Sequence, residues 1–220
     1  MLTDTWFTNL EQNIPDDIRS DEGRILRRKP AFNSINLTSD RPFSALENDQ
    51  LVSSISIAIE RNWPAIELAT LLSAEADHRK QRVQNKVETL FWKSGLEPIS
   101  WLNRARQCIR SNSSSYRTKG AAASNYFVLL IRDGKYECYV GQTATTNLLS
   151  FSSRQEARIA QHFCNKRASS HVKNYGYEPL WSLNCFTQEV RYANRIQAET
   201  KYNNSLADLG IKVRGDVVSR

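Results

Sequence analysis

Apolar positions recur at three- and four-residue steps from Pro42 to about Lys93, and then run without a break from Tyr126 to Ile131. The chain therefore predicts helices first and a sheet afterwards. Leu46, Leu51, Val52, Ile55, Ile59 and Trp63 form one stripe, with Ser44 as a cap and Pro64 as an interruption. A second helix is expected from Pro64 to about Lys93, with Leu68, Leu71, Leu72, Val83, Val87, Leu90 and Phe91 on one side. Its other side carries His78, Arg79, Lys80, Arg82 and Lys86, either a solvated face or one that lies along DNA. Gly95 and Pro98 end it, and a shorter helix is expected over Leu96 to Ile109.

The second half begins with punctuation. Ser111 to Ser115 and Ala121 to Ser124 read as a linker. Tyr126 to Ile131 then suits a strand, Asp133-Gly134 a hairpin turn, and Lys135 to Gly141 the returning strand. Gln142 to Ser153 reads as a polar loop and Gln155 to about Lys166 as a helix. A short helix near His171, a third strand over Leu180 to Phe186, and a helix from Thr187 to about Leu209 follow. The expected fold is α/β (α+β), a small three-stranded sheet flanked by helices. Its divisions are an N-terminal arm (1–41), a helical accessory region (42–110), the linker (111–124) and a domain over 125–220.

Charge sharpens this division. Residues 1–110 hold 15 Lys+Arg and 15 Asp+Glu, so the whole formal charge of +7 falls in 111–220. A basic half suits a phosphate backbone, although plain solubility gives the same balance. No apolar run approaches the roughly 20 residues of a membrane span, and the N-terminus lacks the basic-then-apolar order of a signal peptide. Cys108, Cys138, Cys164 and Cys185 stand too far apart for a zinc or redox motif. Free thiols fit a reducing compartment, so the expectation is a cytoplasmic protein with no membrane partner.

Four pieces recur in a suggestive order: the hairpin ending in Tyr139-Val140-Gly141, Arg158-Ile159-Ala160-Gln161-His162, Ser169 to Lys173 before Gly176, and Glu199 in a late helix. Over roughly residues 125–205 this resembles the GIY-YIG endonuclease superfamily. The length, with a helical region ahead, looks somewhat like its restriction enzymes; repair and mobile-element nucleases share the fold. The resemblance implies a metal-dependent DNA endonuclease that cuts double- or single-stranded DNA. The helical region would contact DNA or pair two copies of the chain. By the same resemblance Glu199 binds Mg²⁺ (or Mn²⁺), and Gly141, Gln142, Thr143, Arg154, Lys166, Arg167, His171, Lys173 and Asn203 lie along the DNA.

The chemistry suits these residue types. A carboxylate oxygen on Glu199 is a hard ligand for a cation that also binds phosphate. Arg158 offers a fork to phosphate oxygens, and its four-residue spacing from His162 sets both on one helix face. Tyr139 and His162 are both candidate proton acceptors; a tyrosine needs positive charge nearby, whereas imidazole works near neutral pH unaided. Two positions depart from the pattern. Phe127 stands where the family's first tyrosine would, and Tyr126 replaces it only if a bulge or shifted register turns it inward. Gln197, Glu199 and Glu189 all compete for the acidic position. A non-catalytic nucleic-acid-binding module with the same fold is the alternative.

Overall fold

The computed structural model describes residues 35–60, 65–113, 123–144, 153–163, 168–187 and 189–215. Contacts divide these into two compact units, and the division falls between Asn103 and Arg104. This division precedes the expected linker at 111–124. Helix α4 (Leu102–Ser113) continues through residues 111–113, and Asn112 Nδ2 donates to Ser205 Oγ at 3.2 Å in the second unit. Residues 114–122 lie outside the described set.

The first unit is helical. Helix α1 (Asn48–Glu60) buries Leu51, Ile55 and Ile59 of the predicted stripe, together with Ala58, while Val52 is half-buried. The single helix expected from Pro64 to Lys93 is two, α2 (Ile66–Ala76) and α3 (Gln81–Ser94). After Leu72 and Ala76 the stripe would next reach Arg79 or Lys80, and an unbroken helix would carry those cations onto the buried side. The chain turns instead: Lys80 is extended, and Arg79 folds back on the buried carboxylate of Glu75, which Arg41 also grips at 2.6 Å. The last residues of the expected arm are thus anchored, with Leu37 buried as well.

The second unit is mixed α/β, with a four-stranded sheet in the order β3-β1-β2-β4. Strand β1 (Ser124–Arg132) is central, and every residue from Ser124 to Leu130 is buried, which is why its sequence is a continuous run and not an alternation. It pairs antiparallel with β2 (Lys135–Thr143) through a tight turn in which Asp133 and Gly134 have φ of 50° and 70°, the left-handed pair that this hairpin needs. Strand β2 runs on through Gln142 and Thr143, both assigned to a loop by their sequence. Strand β4 (Val213–Arg214) adds a parallel edge, pinned where the buried Glu137 holds Lys212 and Arg214, each at 2.9 Å.

The third strand lies earlier than expected. Strand β3 is Gly176–Pro179, and the apolar run after it forms a short helix, α7 (Trp181–Asn184). Asn184 explains the change: its side-chain amide accepts from Phe127 N–H at 2.7 Å and donates to Phe127 C=O at 3.3 Å. With Leu180 N–H also donating to Phe127 C=O at 3.1 Å, the edge of β1 is satisfied where a continuing strand would otherwise be needed. Helix α5 (Arg154–Phe163) covers one face of the sheet, α6 (Ser170–Tyr175) leads into β3, and α8 (Arg195–Asp208) covers the other face. The helix expected from Thr187 begins only after a single turn at Tyr192–Asn194, because Val190 is bridged to Ala123. Among the described residues no helix is long and apolar enough to cross a membrane.

Candidate active site

The hairpin register decides which tyrosine faces which. Tyr126 stands opposite Gly141 and Val128 opposite Tyr139, with no bulge between β1 and β2, so Tyr126 and Tyr139 share a face and Phe127 takes the other. Their rings lie 6.1 Å apart. Gly141 makes this possible: a Cβ there would stand 2.5 Å from the Tyr126 hydroxyl and 2.8 Å from the Tyr139 ring. The glycine of Tyr139-Val140-Gly141 is a floor on which both rings lie.

Helix α5 brings Arg158 and His162 to the same face. The His162 ring centre is 5.5 Å from that of Tyr126 and 5.8 Å from that of Tyr139, and its Nε2 is 2.5 Å from the Tyr126 hydroxyl. Tyr126, Tyr139 and His162 are each 1% exposed. Arg158 is half-buried, and its charge and the Tyr139 hydroxyl both act on the Tyr126 hydroxyl.

The proton positions follow from one backbone group. Ser169 N–H donates to His162 Nδ1 at 3.1 Å, so a neutral ring carries its proton on Nε2 and donates it to Tyr126. Burial, with the Arg158 charge adding to it, pushes the imidazole down to about 3, so it is neutral at ordinary pH. Burial pushes the Tyr126 hydroxyl well above the usual phenol value, and Tyr139 adds to this while Arg158 opposes it. His162 donates to the Tyr126 oxygen, and Arg158 and Tyr139 act on the same hydroxyl in opposite senses. Both nitrogens of His162 are therefore engaged, and neither offers a lone pair to a water.

Glu199 comes from the opposite side of the sheet. Its helix packs there through Tyr202, whose ring stands edge-on to Phe127 at 5.6 Å. Glu199 is 1% exposed and reaches the edge of β2. Around the point where a Cβ on Gly215 would stand gather Val140 O at 2.9 Å, Asn203 Nδ2 at 3.0 Å and Glu199 Oε1 at 3.3 Å. Val140 precedes the glycine beneath the tyrosines. Gln197 is exposed, and Glu189 is engaged with Arg154 at 3.3 Å, so Glu199 is the acidic candidate held among oxygen and amide groups.

The other residues scatter more widely. Thr143 is buried in β2, Gln142 is half-buried beside it, and His171 and Lys173 lie half-buried and exposed on α6. Lys166 and Arg167 lie outside the described residues. Two contributors escape a sequence reading: Ser169, which acts through its backbone, and Gln155, whose Nε2 donates to both Asn125 C=O and Thr187 Oγ1. Among the described residues no three His, Cys, Asp or Glu side chains gather at one point. No family model, curated protein or solved structure matches the chain.

Proposed function

We propose that the chain is a DNA endonuclease that hydrolyses phosphodiester bonds with the help of one divalent cation. The observation that carries this reading is the convergence of Tyr126, Tyr139, Arg158 and His162 from three elements onto one glycine floor. Hydrolysis needs a proton acceptor for the attacking water and donors for the charge that grows on the phosphate oxygens. Arg158, the most exposed of the four, supplies the donors. Tyr139 is the acceptor, because both nitrogens of His162 are engaged and the Arg158 charge, which opposes the rise of the neighbouring Tyr126 hydroxyl, favours a phenolate on this face. His162, neutral and locked, orients Tyr126 and excludes itself as a base.

A cation of the Mg²⁺ or Mn²⁺ type fits the residues beside Gly215. Glu199 would hold it through one carboxylate oxygen, with the Val140 carbonyl close by. When bound, it would polarise the phosphate and neutralise part of its charge. Incubating the protein with plasmid and with single-stranded DNA, with and without Mg²⁺, tests the reading. Mg²⁺-dependent cutting by the wild type that Glu199→Ala lacks is the expected result.

The burial of Tyr126, Tyr139 and His162 favours a second reading, a nucleic-acid-binding module that performs no chemistry. It predicts binding without cutting under every cation.

A further inference from the structure

Among the described aromatic side chains of this unit, Tyr192 alone is exposed, at 54%. It sits in the single turn before α8, with exposed Arg191 on one side and Ile196, 45% exposed, one helical turn on. Arg195 folds over its ring at 3.8 Å and is fixed there by donating to the Tyr192 carbonyl at 2.8 Å. One face of the ring is thus already stacked on a guanidinium that its own backbone holds in place.

This turn is tied to the elements that carry the tyrosine cluster. Val190 and Ala123 exchange both backbone hydrogen bonds, at 3.1 and 2.8 Å, just before the start of β1. Arg154, one turn before Arg158 on α5, pairs with Glu189 at 3.3 Å, which offsets the acidic group nearest the turn. Val190, Ala123 and Ala198 form a small apolar cluster beneath it. Tyr192 is therefore exposed on a braced base, with Arg191 and Arg195 as its charges.

We propose that the Tyr192–Arg195 stack is a platform for an unpaired base of the nucleic-acid substrate, with Arg191 beside it for the adjoining phosphate. This rests on the nuclease reading and narrows it. Bases inside a duplex have both faces covered by their neighbours, so a face-presenting tyrosine can take only a base that has left the stack. The ring's second face is where that base lies, and the guanidinium behind it strengthens the stack. The substrate is accordingly single-stranded.

The test is fluorescence anisotropy with a short single-stranded oligonucleotide and with the same sequence as a duplex, in an Arg158→Ala background and without divalent cation, so that cleavage does not intervene. Tyr192→Ala should weaken single-strand binding about tenfold, while Tyr192→Phe keeps it within about twofold and duplex affinity changes by less than about twofold. Unchanged single-strand affinity in Tyr192→Ala overturns the proposal, as does an equal loss on both DNAs. A Tyr192→Ala protein that loses self-association in sedimentation, and no DNA affinity, assigns the patch to a second copy of the chain instead. The nuclease reading fails separately: Tyr192-dependent binding by a wild type that never cuts would leave the platform standing without the enzyme.

Discussion

Two neighbouring residues, Tyr126 and Phe127, meet opposite sides of one sheet and have opposite fates. Both are buried, at 1% and 0% exposed. Phe127 packs edge-on against Tyr202 under α8, where its ring needs only apolar contact. Tyr126 enters a layer of hydroxyl, imidazole and guanidinium groups under α5, where every donor must find an acceptor. The apolar face is the one on which the fold depends for stability. The polar face gains less from burial and holds groups whose protonation is set by their neighbours, the condition under which chemistry is done.

Substitutions on the two faces should therefore separate folding from activity. The largest expected effect is on the apolar side: Phe127→Ala should cost about 3–5 kcal/mol of stability in denaturant unfolding. Tyr126→Phe keeps the ring and should cost about 1 kcal/mol, the scale of a lost hydrogen bond, yet slow cleavage a hundredfold or more. A Tyr126→Phe protein that cuts normally would erase the distinction between the faces. Arg158→Ala should slow single-turnover cleavage about 10²–10³-fold with little change in stability. Near-wild-type cutting by that variant would remove Arg158 from the site.

The distinction was partly written in the chain. Asp133-Gly134 fixes Arg132 opposite Lys135, and counting back along both strands puts Tyr126 opposite Gly141 and on the side of Tyr139. No bulge is required, so the side of the sheet on which Tyr126 lies could have been read from the turn alone. The third strand was not legible, because an apolar run such as Leu180 to Phe186 suits a buried strand or a buried helix equally. The choice was made by Asn184, a polar residue whose pairing with Phe127 lies across 57 positions of sequence. The break between α2 and α3 was visible only as two cations at stripe positions. The state of His162 could not be read at all, since it depends on a backbone N–H at Ser169 and on complete burial.

That state yields the smallest and most specific prediction. An imidazole held at about 3 in the folded protein, against about 6.5 unfolded, binds its proton first in the unfolded chain. Stability from this group is then fully present above about pH 6.5 and falls as pH drops toward 3, because protons stabilise the unfolded state in that window. Glu75 and Glu137 are held below the usual carboxylate range by their Arg and Lys partners, so their contribution is lost only at lower pH. Between pH 6.5 and 5.5 the loss belongs mainly to His162 and should be about 1 kcal/mol. His162→Gln keeps an N–H donor for Tyr126 but cannot titrate, so its stability should stay flat over that unit of pH. The same variant should cut faster than His162→Ala, and the wild-type rate should show no acidic limb near 6.5. A limb that titrates there and vanishes in His162→Gln would make the imidazole a base after all, and the Nε2 proton would have to be moved to Nδ1.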